Sequence, residues 1–447
     1  MLDESLLDSP EALARADTEA LLRGTAEAGA RVRTAMRQAT ETLAALRPDG
    51  RPRAIFVAGP GPATACAAEL LGAFGNDAVP VTLLRPTGAL AAPGALRWAL
   101  PGWAGSLDLL LVTTPDGSEA GLTALIEQAY RRGCTVVTLC RSGSPVAEMT
   151  GETHGLTVPL AAPAPAGRDG SPGRRGPTDA GDDVPGYDTG HAYGDGDDHA
   201  AAAHPTGAPE SRGPDGAEVP AVPHPTPAAP HPSPAGPRTT AAPGLLWTLL
   251  TPLLVLSDRL GLFAAPEAAL ASLADRLDQV AERCGPAVAT YSNPAKSLAT
   301  ELAGTFPLLW SEGPLAGAVA RHSASTFAAL PGVPALPAAL PEAMAAHGAL
   351  LSGTLAAGSD PDDFFRDRVD EPESLHARIL LLRDRAPSGD SAVVAARDLA
   401  YANDVPLGEL EPAEGSGPLE AAAELIATVD FAAVYLALAD GGASSSP

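Results

Sequence analysis

The chain has 447 residues, enough for two or three domains, and is 45% hydrophobic, so a sizeable core is within reach. Aromatic residues make up only 4%, which leaves Ala, Val and Leu to build that core. A formal net charge of −25 argues against nucleic acid as a partner, since phosphate backbones are held by clustered Lys and Arg, and Lys296 is the only lysine here.

The four cysteines are Cys66, Cys134, Cys140 and Cys284. None forms a C-x-x-C pair, which speaks against zinc. Cys134 and Cys140 flank an apolar strand, where thiols ordinarily serve as packing residues. No charged segment followed by an apolar one opens the chain, so no leader peptide is expected. The longest apolar runs, such as 245–256, are too short to span a bilayer. These features predict a cytoplasmic, reduced protein with no membrane or nucleic-acid partner and no metal.

Residues 10–47 read as one or two amphipathic helices. Asp8 and Ser9 precede Pro10 as a helix start, and Leu22, Ala26, Val32, Met36 and Leu43 recur at helical spacing. The period then changes. Residues 54–57 form a short apolar strand, closed by the turn Gly59-Pro60-Gly61-Pro62 and followed by a helix over 64–74. Further strands are expected at 79–84, 107–113 and 135–139. Asp116-Gly117-Ser118 reads as a turn and cap that starts a helix reaching about 132. Strands alternating with helices in this way predict a parallel sheet covered on both faces, in a first lobe over 1–160.

The periodicity stops at 161. From there to 242 the chain is Pro, Gly, Ala, Asp and His with scattered Arg, too poor in apolar residues to offset its chain entropy, and reads as a disordered insert. His191, His199, His204, His224 and His231 lie in it, irregularly spaced among prolines, and read as solvated linker. Order resumes with helices at 245–262 and 268–284. A second α/β lobe over 243–447 then predicts strands at 287–291, 306–310, 378–382 and 406–410. Helices are expected at 294–303, 314–329, 341–352, 391–402 and 418–438.

Two stretches of this second lobe carry a resemblance. Asn293-Pro294-Ala295-Lys296-Ser297-Leu298-Ala299 is followed by Glu301-Leu302-Ala303-Gly304 and a strand ending at Trp310. The chain later reads Phe431-Ala432-Ala433-Val434-Tyr435-Leu436-Ala437-Leu438, with Gly441 beyond. Both resemble the bifunctional phosphoglucose/phosphomannose isomerase family of sugar-isomerase (SIS) proteins, which carries an Asn-x-Ala-Lys segment and a closing Tyr-Leu-Ala-Leu helix at these places. The resemblance implies an α/β fold of two SIS-type lobes with parallel sheets flanked by helices, interrupted here by the long insert. It implies a homodimer, to which the Leu-rich N- and C-terminal helices could contribute. It also implies aldose–ketose isomerisation of a hexose 6-phosphate without a cofactor.

The same resemblance nominates site residues. The family's phosphate loop, Ser-x-Ser-Gly-x-Thr, corresponds to Thr113-Thr114-Pro115-Asp116-Gly117-Ser118, so Thr113 and Ser118 are candidate phosphate ligands. Pro115 removes a hydroxyl and an N–H, and Asp116 adds a negative charge. The family's glycine loop corresponds to Gly59-Pro60-Gly61-Pro62-Ala63, with Thr64 as the neighbouring hydroxyl. The family's base lies seven residues after an arginine; counted from Arg321 that place is Ala328. His347 is the candidate ring-opening histidine, for which a capping or solvated role is the plainer reading, and Glu342 a substitute base that is equally a partner of the helix dipole. Two functions follow: a hexose 6-phosphate-binding protein whose isomerisation is weak or lost, and a non-catalytic regulator or scaffold that binds a sugar phosphate or a protein partner.

Overall fold

The computed structural model describes residues 4–44, 50–76, 78–89, 94–160, 242–353, 355 and 375–441. The expected insert, 161–242, lies outside the described residues except for Ala242. The chain opens with helices α1 (Glu4–Leu7), α2 (Pro10–Ala16), α3 (Leu21–Ala26) and α4 (Ala28–Leu43). The helical stretch is therefore broken more often than its periodicity suggested. Asp17 accounts for one break: its carboxylate accepts the Leu21 and Leu22 amides at 2.7 and 2.9 Å, restarting the helix there.

The first lobe continues as β1 (Ile55–Ala58), α5 (Gly61–Phe74), β2 (Val81–Leu84), β3 (Leu109–Thr113), α6 (Ala120–Arg131), β4 (Thr135–Cys140), α7 (Pro145–Glu152) and β5 (Leu156–Pro159). Its five strands are all parallel, in the order β2-β1-β3-β4-β5. The last helix and strand were not foreseen. Ser144 caps α7 by accepting the Ala147 amide at 3.3 Å, with Pro145 in the first helical position. β5 is short and ends in Pro159, which an edge strand tolerates.

The second lobe begins with α8 (Leu245–Arg259) and α9 (Glu267–Arg283). It continues as α10 (Pro294–Leu302), β6 (Thr305–Glu312), α11 (Pro314–Ala329), β7 (Leu336–Ala339), α12 (Glu342–Leu351), β8 (His376–Arg383), α13 (Val393–Ala402), β9 (Leu407–Leu410) and α14 (Pro418–Gly441). Its sheet is also parallel, in the order β7-β6-β8-β9. The protein is thus an α/β fold of two parallel sheets flanked by helices.

Strand alternation partitions the interior. Ile55, Val57, Leu109 and Leu111 of the first sheet, with Leu309, Leu380 and Leu382 of the second, join one core shared by both lobes through α4, α5, α8–α11 and α14. The alternate residues Phe56, Ala58, Leu110 and Val112 face a separate core under α6 and α7. Leu308, Trp310, Ile379 and Leu381 face a third, under α12 and α13. The shared core seats α14, a helix long and apolar enough to cross a membrane yet almost wholly buried by protein. Its leucine face, like Leu7, Leu13 and Leu22 near the N-terminus, is packed within the chain.

The strand expected at 287–291 is not formed. Residues Thr290–Ser292 make a turn of 3-10 helix instead. The carbonyls of Pro286 and Val288, which a ladder would need, accept hydrogen bonds from Lys296 Nζ at 2.8 and 2.7 Å. Asn293 then caps α10, accepting the amides of Ala295 and Lys296 at 3.1 and 3.0 Å.

Candidate functional site

In a parallel sheet of order β2-β1-β3, the connections leave β1 and β3 in opposite directions, and the crevice beyond their carboxyl ends is the ordinary place for a ligand. Here that crevice holds the glycine loop after β1 and residues 113–118 after β3. The two loops touch: a Cβ placed on Gly59 would lie 2.0 Å from the Thr113 carbonyl oxygen, so only glycine fits. Thr64 and Thr113 are fully buried and hydrogen-bonded through their hydroxyls at 2.8 Å. These two predicted residues are brought together, but their hydroxyl protons are used in the floor of the crevice, one between the pair and one on the Pro60 carbonyl at 3.2 Å.

The loop above is saturated by its own carboxylates. Thr114 Oγ1 donates to Glu119 at 2.6 Å and accepts the Gly117 amide at 3.1 Å. Ser118 is exposed, and its hydroxyl donates to Asp116 at 3.1 Å. It does not cap α6, which starts at Ala120 after Glu119 with no side-chain cap. Burial pushes the Glu119 carboxyl up, and the Asp116 charge adds to this, against the lowering effect of the Thr114 hydrogen bond. A phosphate here would meet two carboxyl groups, each worth about 1–4 kcal/mol of repulsion at contact when ionised, depending on how wet the loop is.

Glu342 and His347 sit elsewhere. Glu342 is exposed in the first turn of α12. His347 is buried beneath the outer face of the second sheet, where its Nδ1 accepts the Trp310 indole N–H at 2.9 Å. Burial lowers its pKa, so the ring is neutral and carries its proton on Nε2. Its neighbours Ala343, Leu351 and Trp310 belong to the third core, apart from the loops of the first lobe.

A different group of polar side chains meets between the lobes, where α5 packs on α11. Arg321 Nε donates to Glu69 at 2.8 Å. His322, one residue on, has Nε2 at 2.7 Å from Asp430 of α14 and 3.3 Å from Thr326 Oγ1. Burial works against charging this imidazole, but the Asp430 carboxylate outweighs it and the adjoining Cys66 adds to the effect, so the pKa stands well above the usual histidine value. A cavity of about 240 Å³ opens beside the pair, lined by Cys66, Glu69, Arg85, Arg321, His322 and Ser325 among others. Two guanidiniums and the His322 imidazole thus face one space, beside the Glu69 carboxylate, in a protein of net charge −25.

Sequence reading passed over His322 and Asp430 because they are 108 positions apart. The available signal was a lone aspartate inside the apolar run Val429-Asp430-Phe431-Ala432-Ala433, which a buried helix keeps only with a partner.

Residues 291–444 match the family described as the bacterial phospho-glucose isomerase C-terminal SIS domain. No curated protein sequence matches the chain. Three solved structures illustrate the likeness of fold. A proposed phosphosugar isomerase from Silicibacter pomeroyi is 14% identical, with 95% of this chain and 98% of that one covered at a TM-score of 0.50. Another, from Clostridium difficile, is 10% identical, covering 95% and 94% at 0.52. A hypothetical protein from Thermus thermophilus is 12% identical, covering 97% and 89% at 0.51.

Proposed function

We propose that this chain, a two-lobed SIS-type protein whose residues 291–444 belong to the bacterial phospho-glucose isomerase C-terminal SIS domain family, binds a hexose 6-phosphate and isomerises it weakly or not at all. The family match supports the ligand class. The observation that carries the second half is the saturation of the 113–118 loop by Asp116 and Glu119, together with the mutual hydrogen bond of Thr64 and Thr113. With those donors occupied, the phosphate falls to the inter-lobe cavity, where Arg85 supplies the charge beside Arg321, whose Nε is held by Glu69.

Isomerisation needs a carboxylate base to carry a proton between C2 and C1. Ala328 stands at the family position of that base, and Glu342 and His347 lie on the far side of the second sheet from the first lobe's loops. Loss of a positioned base costs about 10²–10⁴ in rate. A coupled assay from fructose 6-phosphate, read separately for glucose 6-phosphate and mannose 6-phosphate, is therefore expected to show turnover at least about 10²-fold below that of a competent isomerase. Glu342→Gln and His347→Ala should leave any residual rate unchanged. Efficient turnover abolished by either substitution would overturn this reading. Binding without turnover suits a regulator or scaffold that responds to sugar phosphate.

A further inference from the structure

All four cysteines are buried, and three have the environment of packing residues: burial pushes the Cys134, Cys140 and Cys284 thiols up, Cys284 to about 11. Cys66 has different neighbours. It lies on α5 in the wall of the inter-lobe cavity of about 240 Å³. The His322 imidazole, 9% exposed, lines the same cavity. Its Nε2 is engaged by Asp430, while its Nδ1 is buried without a hydrogen-bond partner among the described residues. Cys66 and His322 share the wall of this cavity, and Asp430 holds the imidazole from behind, the residue types of a nucleophile, its base and the group that orients the base.

We propose that Cys66 is a reactive thiol, activated by His322 and Asp430, that takes small anionic electrophiles whose carboxylate or phosphate pairs with Arg85 and Arg321. The Cys66 proton passes to the imidazole, and Asp430 stabilises the imidazolium. The raised basicity of His322, to which both Asp430 and Cys66 contribute, agrees with that assignment. The charged groups facing the thiol are Glu69 from its own helix, Arg85 beyond β2, Arg321 and His322 from α11, and Asp430 from α14 behind the imidazole. Glu69 is paired with Arg321 and Asp430 with His322, which leaves Arg85 as the cation without an ion-pair partner among the described residues. With an alkyl halide, the thiolate forms an S–C bond, the halide departs with the C–halogen electron pair, and the imidazolium keeps its proton. With an aldehyde, the S–C bond forms as the carbonyl oxygen takes the imidazolium proton, giving a hemithioacetal. An open-chain aldose phosphate belongs to this second class, and that extension alone rests on the proposed sugar-phosphate ligand.

The test is alkylation of the native full-length chain at about pH 6.5, mapped by peptide mass spectrometry, because an ordinary thiol is mostly protonated there. Iodoacetate should label Cys66 at least about tenfold faster than Cys134, Cys140 or Cys284. Its rate ratio over neutral iodoacetamide should exceed that of free cysteine. His322→Gln and Asp430→Asn should each slow Cys66 labelling by about tenfold or more. Arg85→Ala with Arg321→Ala, both at exposed positions, should lower the iodoacetate-to-iodoacetamide rate ratio to that of free cysteine. The proposal is overturned if Cys66 reacts no faster than the other three cysteines. It is also overturned if the arginine variant keeps the full iodoacetate preference, an outcome that does not depend on the His322 or Asp430 variants folding. Slow labelling of Cys66 leaves the sugar-phosphate reading intact, whereas an unchanged iodoacetate preference in the arginine variant also counts against Arg85 and Arg321 as phosphate ligands.

Discussion

Lys296→Met is expected to lower the unfolding free energy by about 3–5 kcal/mol, the largest effect of any single substitution considered. The side chain is fully buried. Its Nζ donates to the carbonyls of Leu7, Pro286 and Val288 at 2.6, 2.8 and 2.7 Å and lies 5.4 Å from the centre of the Tyr435 ring. Methionine can fill the space of the aliphatic stem but satisfies none of the three acceptors. A buried polar group left unpaired costs about 1–3 kcal/mol, and partial relaxation of the N-terminal segment keeps the total below the sum. The bond to Leu7 ties α1, only four residues long, to the second lobe. Chemical denaturation should therefore report the loss of stability, and amide exchange should report faster opening of residues 4–7. A variant within about 1 kcal/mol of the native chain would show that the lysine is not the clamp described here.

Glu424→Ala is expected to cost about 2–3 kcal/mol at neutral pH. This carboxylate, on α14, accepts from Arg276 at 3.1 Å, Arg283 at 2.7 Å and the Ala413 amide at 3.0 Å. Arg283 is half exposed and can hydrate after the loss, which moderates the effect. Burial by itself would raise this carboxyl, but the Ala413 amide and the two guanidiniums outweigh it and hold the pKa below the usual glutamate value. For a carboxylate so depressed, the stabilisation is fully present above the unfolded value of about 4.3 and fades as pH falls through the lower folded value. Denaturation curves of the native chain and the variant should be well separated at pH 7 and converge under acid. A gap that widened on acidification would contradict the assignment.

Where apolar period and chain punctuation coincide, sequence and structure agree closely. α11 runs from Pro314 to Ala329 as read, opened by Gly313 and Pro314. The buried strands around Val57, Leu111, Leu309 and Leu381 stand out because their apolar runs are nearly continuous. β7, reading Leu-Pro-Ala-Ala, has no such run and depends on its neighbour β6 for its geometry. The segment 287–291 has the composition of a strand, but a lysine six residues beyond Thr290 claims its carbonyls, an arrangement no local window reveals. The site follows the same logic. The resemblance drew attention to His347 and Glu342, whereas His322 and Asp430 come together only when α11 and α14 meet. Likewise, the hydroxyls of Thr64 and Thr113 looked available until the close approach at Gly59 turned them toward each other.

Calorimetric titration of fructose 6-phosphate into the native chain, repeated with the Arg85→Ala/Arg321→Ala double variant, tests the central claim most directly. The account predicts saturable binding to the native chain, weakened at least about tenfold, or about 1.4 kcal/mol, in the variant. Absence of binding heat together with an unchanged melting temperature in the presence of any hexose 6-phosphate would contradict it.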